Sequence, residues 1–329
     1  MIEKLVTEKF PFYKNKNVLV CGGEGFIGSH LTDILLRSEA QITIITRNKR
    51  IQNKHNSKKI KFIKEDLKDL KVCKSLVKNF DFVFNAMGKA GGIEYGIKNN
   101  EKLFFENSQL DLNLLLALSE SNVKRYQYIS SVSVYPSNAK NPLVESEKLH
   151  FTEQLGYTNA KILGEKYCKM FADELGLKIS VIRADNTFGP RDNFSSSSRV
   201  IPSLIKKTLQ SEQFLEVWGS GKQIRSFIFV SDLVRGLLSG LEKYPIPDPV
   251  NLSSNNKISI ERLVEMILRL SGRKLLIKYD EKKPEGRLER CLDISKAKKL
   301  LNFTPKWTLE ESLQVTIDWF REYSNKSKH

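Results

Sequence analysis

The run NVLVCGGEGFIG, residues 17–28, decides how this chain folds. Residues 17–21 form a short apolar segment, a glycine cluster follows, and residues 27–37 carry apolar side chains at helical spacing. Gly22, Gly25 and Gly28 stand where a strand turns sharply into a helix and where backbone must approach a pyrophosphate. The start of that helix adds free N–H groups and roughly half a positive charge. A glycine motif alone carries little weight. One that follows a strand, opens a helix and begins a βαβ series reads as a dinucleotide-binding loop, with Phe26 and Ile27 part of it.

Outward from the loop, β-branched and apolar runs at 41–46, 60–63, 81–86, 125–131 and 178–183 read as further strands. Helical patterns at 70–78, 103–121 and 157–174 alternate with them. This alternation predicts an α/β fold: a Rossmann-type, doubly wound parallel sheet covered on both faces, with right-handed crossovers. After residue 183 the texture changes. Residues 186–199 read as loop, 200–209 as helix, 214–217 as extended, 227–230 as strand, and 233–243 and 258–271 as helices. These fit a smaller mixed α/β substrate domain. The expected division is 1–185 for the dinucleotide-binding domain and 186–329 for the substrate domain, with about 227–243 returning to the first. Residues 1–16 read as a loosely docked lead-in and 325–329 as a frayed tail.

The 329 residues are 40% hydrophobic and 9% aromatic, enough for a sizeable core and against disorder as the main theme. No run of about 18 apolar residues predicts a membrane span, and residues 1–16 lack the apolar segment of a secretory signal. Cys21, Cys73, Cys168 and Cys291 are scattered, with no metal-ligand spacing, so reduced thiols, a cytoplasmic location and no metal are expected. The net charge of +16 fits an anionic partner. Its lysines are dispersed among acids, however, and no nucleic-acid-binding motif accompanies them, so neither nucleic acid nor membrane is expected as a partner.

The second strand ends at Thr46, and Arg47 and Asn48 follow. An acid here commonly takes the ribose hydroxyls of NAD, whereas an arginine accommodates the 2′-phosphate of NADP. Cations without a carboxylate favour NADP(H), and NAD(H) stays open. Further on, Tyr157 and Lys161 lie four apart on one helix face, and Ser131 closes the fifth strand. The pKa of a free phenol, about 10, is too high for it to act as a base at neutral pH. Lowering such a pKa by about three units needs roughly 4 kcal/mol. One ammonium about 4 Å away supplies that at an effective dielectric near 20. Ser131, Tyr157 and Lys161 are therefore the catalytic candidates, and no histidine falls within these motifs.

Together these residues resemble the extended short-chain dehydrogenase/reductases, the NAD-dependent epimerase/dehydratase family, over about residues 17–322. Asp66-Leu67, Asn107, the run SVSVY at 131–135, Arg183–Asn186 with Gly189-Pro190, and Trp218 through Arg225 to Asp232 also match its pattern. Members act on nucleotide-diphosphate sugars, and related enzymes pair as homodimers through the helices at 103–121 and 157–174. The resemblance implies that Asp66 and Leu67 contact adenine, that Ala86, Met87, Gly88 and Asn107 line the cofactor, and that Lys161 also holds the nicotinamide ribose. It further implies that Asn186, Trp218 and Arg225 hold the nucleotide-sugar, with Arg225 on the diphosphate. Lys89, Ser133, Arg199, Val200 and Arg287 join them as substrate contacts.

Within the family the GDP-L-fucose synthase branch is most similar, through KAGGI at 89–93, GPRDNF at 189–194, RVIP at 199–202 and KPEG at 283–286. This favours a GDP-sugar. Yet that branch epimerises with a cysteine and a histidine where this chain has Ser133 and Arg199, which are poor proton carriers near pH 7. Val132-Ser133-Val134 also lacks the acid that dehydratases and decarboxylases carry there. What survives is hydride chemistry at one sugar carbon. The leading reading is a 4-ketoreductase, the alternative is a 4-epimerase, and a non-catalytic dinucleotide-binding protein comes third.

Overall fold

The computed structural model describes residues 8–47, 59–152, 155–284 and 286–326. A 3-10 turn at Pro11–Tyr13 leads into β1 (Asn17–Cys21), α1 (Phe26–Arg37), β2 (Gln41–Thr46) and β3 (Ile60–Lys64). Next come α2 (Leu70–Leu76), β4 (Phe82–Asn85), α3 (Ile93–Lys98), α4 (Asn100–Ser119), β5 (Arg125–Ser131), α5 (Gly156–Leu175) and β6 (Lys178–Ala184). The later part holds β7 (Asn186–Phe188), α6 (Val200–Gln210), β8 (Phe214–Trp218), β9 (Ile224–Phe229), α7 (Val230–Lys243) and β10 (Val250–Leu252). It ends with β11 (Lys257–Ser259), α8 (Ile260–Ser271), β12 (Leu276–Asp280), β13 (Glu289–Arg290), α9 (Ser295–Leu301) and α10 (Leu309–Lys326).

Seven strands form one parallel sheet in the order β10-β6-β5-β4-β1-β2-β3. The order reverses between β1 and β4, which opens a crevice beyond their carboxyl ends, where such folds bind ligands. Both faces of the central strands β1, β4, β5 and β6 are buried, which is why these strands read as largely apolar runs. Along β1 the residues alternate: Val18 and Val20 join the core with Leu31, Ile34 and Leu35 of α1, while Leu19 and Cys21 pack with Leu114, Leu115 and Leu118 of α4. The leucine stripe of α4 therefore faces the sheet.

Several expectations need correction. The lead-in is anchored over its described part: Tyr13 is fully buried, and its hydroxyl donates to the Leu238 carbonyl at 2.7 Å. Phe12 stacks on Phe82 at 5.0 Å, so aromatic packing outweighs the polar character of the segment. Residues 186–199 are not all loop, because β7 pairs in parallel with β9. The sheet also continues past residue 185, since β10 adds to β6. The strand expected at 227–230 starts earlier, at Ile224, and the following helix starts at Val230. α7 packs on β6, β5 and α1. α10 runs through residues 325–326, which were expected to fray. All four cysteines are free and buried. Among the described residues no helix is long and apolar enough to cross a membrane.

Candidate active site

The glycine loop sits at the β1 end of the crevice. Gly22 has φ +79°, and a Cβ there would lie 2.8 Å from the Ala86 carbonyl oxygen. A Cβ on Gly28 would lie 2.2 Å from the Gly22 carbonyl oxygen. Gly25 N–H donates to that same oxygen at 2.9 Å, closing the turn. Gly25 is the N-cap of α1 and offers no side-chain cap, so the first N–H groups of the helix are left for an anion. A cradle that tolerates no side chains and ends on a helix N-terminus fits a pyrophosphate.

The neighbouring strand ends complete the rim. Asp66, after β3, accepts from Lys68 N–H at 3.0 Å, and its carboxylate lies 3.9 Å from the Arg47 guanidinium. Leu67 is buried, and its carbonyl accepts from Asn113 at 3.2 Å. Ala86 N–H donates to the Cys21 carbonyl at 2.9 Å, Met87 packs against the core, and Gly88 has φ +134°. Asn107 clamps this segment: its Oδ1 accepts from Lys89 N–H at 2.8 Å and its Nδ2 donates to the Lys89 carbonyl at 3.1 Å. Asn48 lies outside the described residues. Glu24, within the glycine loop, reaches β2 and accepts from the Thr46 hydroxyl at 2.6 Å. The sequence pattern does not reveal this carboxylate, because loop spacing does not say which strand end a side chain meets.

The catalytic candidates gather at the end of β5. Ser131 closes the strand, and its Oγ accepts from Ser133 N–H at 3.1 Å. α5 packs on β5 and carries half-buried Tyr157 in its first turn and buried Lys161 one turn later. Lys161 Nζ donates to the Ile129 carbonyl at 2.9 Å and stands 4.7 Å from the centre of the Tyr128 ring. It also lies 4.0 Å from where a Gly88 Cβ would be, so the ends of β4 and β5 meet at this ammonium. Behind it, buried Asp111 accepts from Asn85 and from the Tyr128 hydroxyl, each at 2.8 Å. Burial raises the Asp111 pKa, and the Lys161 charge opposes that rise. Sequence reading passed over Asp111, since one acid in an apolar helix carries no local signal. The Ser133 hydroxyl is buried and has no hydrogen-bond partner among the described residues.

The expected substrate contacts are brought together only in part. Arg225, on β9, is mostly buried and donates to the Ile224 carbonyl at 2.9 Å. Asn186 donates to the Ser226 carbonyl at 2.9 Å and accepts from Arg290 at 3.1 Å, so these residues share one small sheet. Arg287 donates to the Pro136 carbonyl at 3.2 Å and to that of Ala139, which ties the cationic cluster to the segment after β5. Trp218 donates to Glu216 at 3.2 Å, and its ring lies 4.9 Å below the Lys283 ammonium. Arg199 pairs with Asp192 at 3.2 Å and sits 5.8 Å from the Phe26 ring, over the glycine loop. Val200 opens α6 and packs against the core, and Lys89 pairs with Glu106 at 2.7 Å.

A glycine loop between the first strand and helix of a parallel sheet, with a phenol and an ammonium one turn apart on α5, is the arrangement of an extended short-chain dehydrogenase/reductase. The chain belongs to the NAD dependent epimerase/dehydratase family, whose model matches residues 18–253. It is 30% identical to GDP-mannose 3,5-epimerase 1 of Oryza sativa subsp. indica, over 99% of this chain and 87% of that one. It is 29% identical to a dTDP-4-dehydro-6-deoxy-D-allose reductase of Streptomyces, over 94% and 97% respectively. The solved UDP-N-acetylglucosamine 4-epimerase of Methanobrevibacter ruminantium superposes with a TM-score of 0.86, at 30% identity, over 94% of this chain and 99% of that one.

Proposed function

We propose that this chain performs hydride chemistry at C4 of a nucleotide-diphosphate sugar, first as a 4-ketoreductase. The observation that carries this reading is Lys161, held on the Ile129 carbonyl beside Gly88 and one turn from Tyr157. A nicotinamide dinucleotide held by Gly22, Gly25, Phe26, Ile27 and Gly28 supplies hydride exchange with a sugar carbon. Asp66, Leu67, Ala86, Met87 and Asn107 shape the rest of its site. Tyr157 passes the proton at the sugar O4, Ser131 orients that oxygen, and Lys161, held on the Ile129 carbonyl, holds the nicotinamide ribose. Arg225, Asn186 and Trp218 hold the nucleotide and its diphosphate, where buried guanidinium is worth most against phosphate oxygens. The likeness to the fucose-synthase branch supports a GDP-sugar.

A 4-epimerase is the second reading, supported by the superposition on a 4-epimerase and by the Glu24 carboxylate at the end of β2. The cations after β2 support NADP(H), while Glu24 supports NAD(H). Residues 1–185 serve the cofactor, joined by 227–243 and by β10, in keeping with the packing of α7 on β5 and β6 and the pairing of β10 with β6, and the rest of 186–329 serves the sugar. Two copies pair through α4 and α5, where Phe105 and Met170 are exposed apolar side chains. Free buried cysteines fit a reducing cytoplasm.

The test is a panel of nucleotide-diphosphate hexoses and their 4-keto forms. Oxidation of added reduced nicotinamide by a 4-keto sugar supports the reductase. Interconversion of C4 epimers without added nicotinamide supports the epimerase. Turnover with neither contradicts the proposal.

A further inference from the structure

The adenosine ribose of a dinucleotide lies between the glycine loop and the end of the second strand, and an acid at that end takes its hydroxyls. In this chain the strand ends on Thr46 and Arg47 follows it, neither of them acidic. Yet a carboxylate stands there. β1 and β2 are paired in parallel up to Cys21 and Ile45, which sets the loop after β1 beside the end of β2. From that loop Glu24 spans the gap, and its Oε2 accepts from the Thr46 hydroxyl at 2.6 Å. Thr46 is 9% exposed, so the carboxylate is tethered to a buried strand residue.

We infer that Glu24 is the residue that sets cofactor preference, selecting the free ribose hydroxyls of NAD(H) against the 2′-phosphate of NADP(H). This rests on the reading of the glycine loop as a dinucleotide site. Two opposed charges decide the sign. Arg47 attracts a 2′-phosphate, but its side chain is 49% exposed and lies 3.9 Å from the Asp66 carboxylate, which already offsets its charge. Exposed charge pairs are weakened by solvent and salt. Glu24 is partly buried and held in place, so its repulsion of a phosphate dianion is less screened and needs no reorganisation. Its second oxygen can accept from a ribose hydroxyl, an interaction that a phosphate ester cannot offer in the same way.

A purely structural role, strapping the loop to β2, makes a different prediction. Glu24→Gln keeps an oxygen to accept from Thr46 but loses the charge. The experiment is titration of the purified protein with NADH and with NADPH, read by nicotinamide fluorescence, for wild type, Glu24→Gln and Arg47→Ala. Wild type is expected to bind NADH at least tenfold more tightly than NADPH. Glu24→Gln should narrow that ratio at least fivefold, chiefly by tightening NADPH. Arg47→Ala should leave NADH preferred. Equal or tighter binding of NADPH by wild type overturns the inference, as does a Glu24→Gln ratio within twofold of wild type. Binding of neither nucleotide overturns the dinucleotide site itself, and this inference with it.

Discussion

In the proposed reaction Tyr157 is the residue on which turnover depends, because proton transfer at the sugar oxygen needs a hydroxyl that can both give and take. Removing it in Tyr157→Phe should lower kcat by about 10²–10⁴-fold, the usual worth of general acid–base catalysis. Nucleotide-sugar binding should survive, since Arg225 and Asn186 stand on a separate sheet. Retention of more than a tenth of wild-type turnover would require another acid. Asp185 allows a test by stability. Burial pushes its carboxyl up to about 6, against hydrogen bonds from Ser226, Ser253 and Asn186 N–H. The folded chain then keeps this proton to higher pH than the unfolded chain, so stability falls as pH rises from about 4 to about 6. Asp185→Asn should remove that part of the decline, about 3 kcal/mol at most. Urea midpoints of both proteins at pH 4 and 7 measure it, and parallel pH profiles would contradict it. At this scale Gly22, Gly28, Tyr157 and Lys161 are legible in the sequence, because their spacing is local. Glu24 and Asp111 are not, because their partners Thr46, Asn85 and Tyr128 are brought near only by sheet pairing and helix packing.

The elements divide in the same way. β1 to β6 are legible because each is four to seven residues long and apolar enough for a sheet buried on both faces. β7, β10, β11 and β13 are two or three residues long, and their pairing depends on distant partners. Val250, for example, pairs with Ile182 across the whole of α6 and α7. No local pattern announces such strands. The segment before β1 is a further case, since its aromatic residues read as lead-in until α7 is placed beside them. Tyr13→Phe removes the hydrogen bond to the Leu238 carbonyl and should cost about 1 kcal/mol. A lower urea midpoint with an unchanged slope is the expected result, and an unchanged midpoint would show that the lead-in contributes packing alone.

At the scale of the whole molecule, the net charge of +16 tempts a nucleic-acid reading, but the buried cations tell another story. Arg183 pairs with Glu165, Arg290 with Asn186, and Arg225 with backbone carbonyls, so positive charge is organised inside the chain around the small sheet and β6. Phe105, 66% exposed, and Met170, 53% exposed, lie on the two packed helices α4 and α5. Phe105→Glu combined with Met170→Glu should convert a dimer into a monomer in light scattering, and a wild-type monomer at micromolar concentration would contradict the pairing. The central claim is that chemistry is confined to C4, served by Tyr157 and Lys161 while Ser133 and Arg199 move no proton. Its most direct test is to turn over a 4-keto-6-deoxy nucleotide-sugar in D₂O with unlabelled reduced nicotinamide and locate deuterium in the product by NMR. The account predicts protium delivered to C4 and no deuterium at C3 or C5 on the timescale of turnover. Deuterium entering C3 or C5 at turnover rates would contradict it and make this chain an epimerase at those carbons as well.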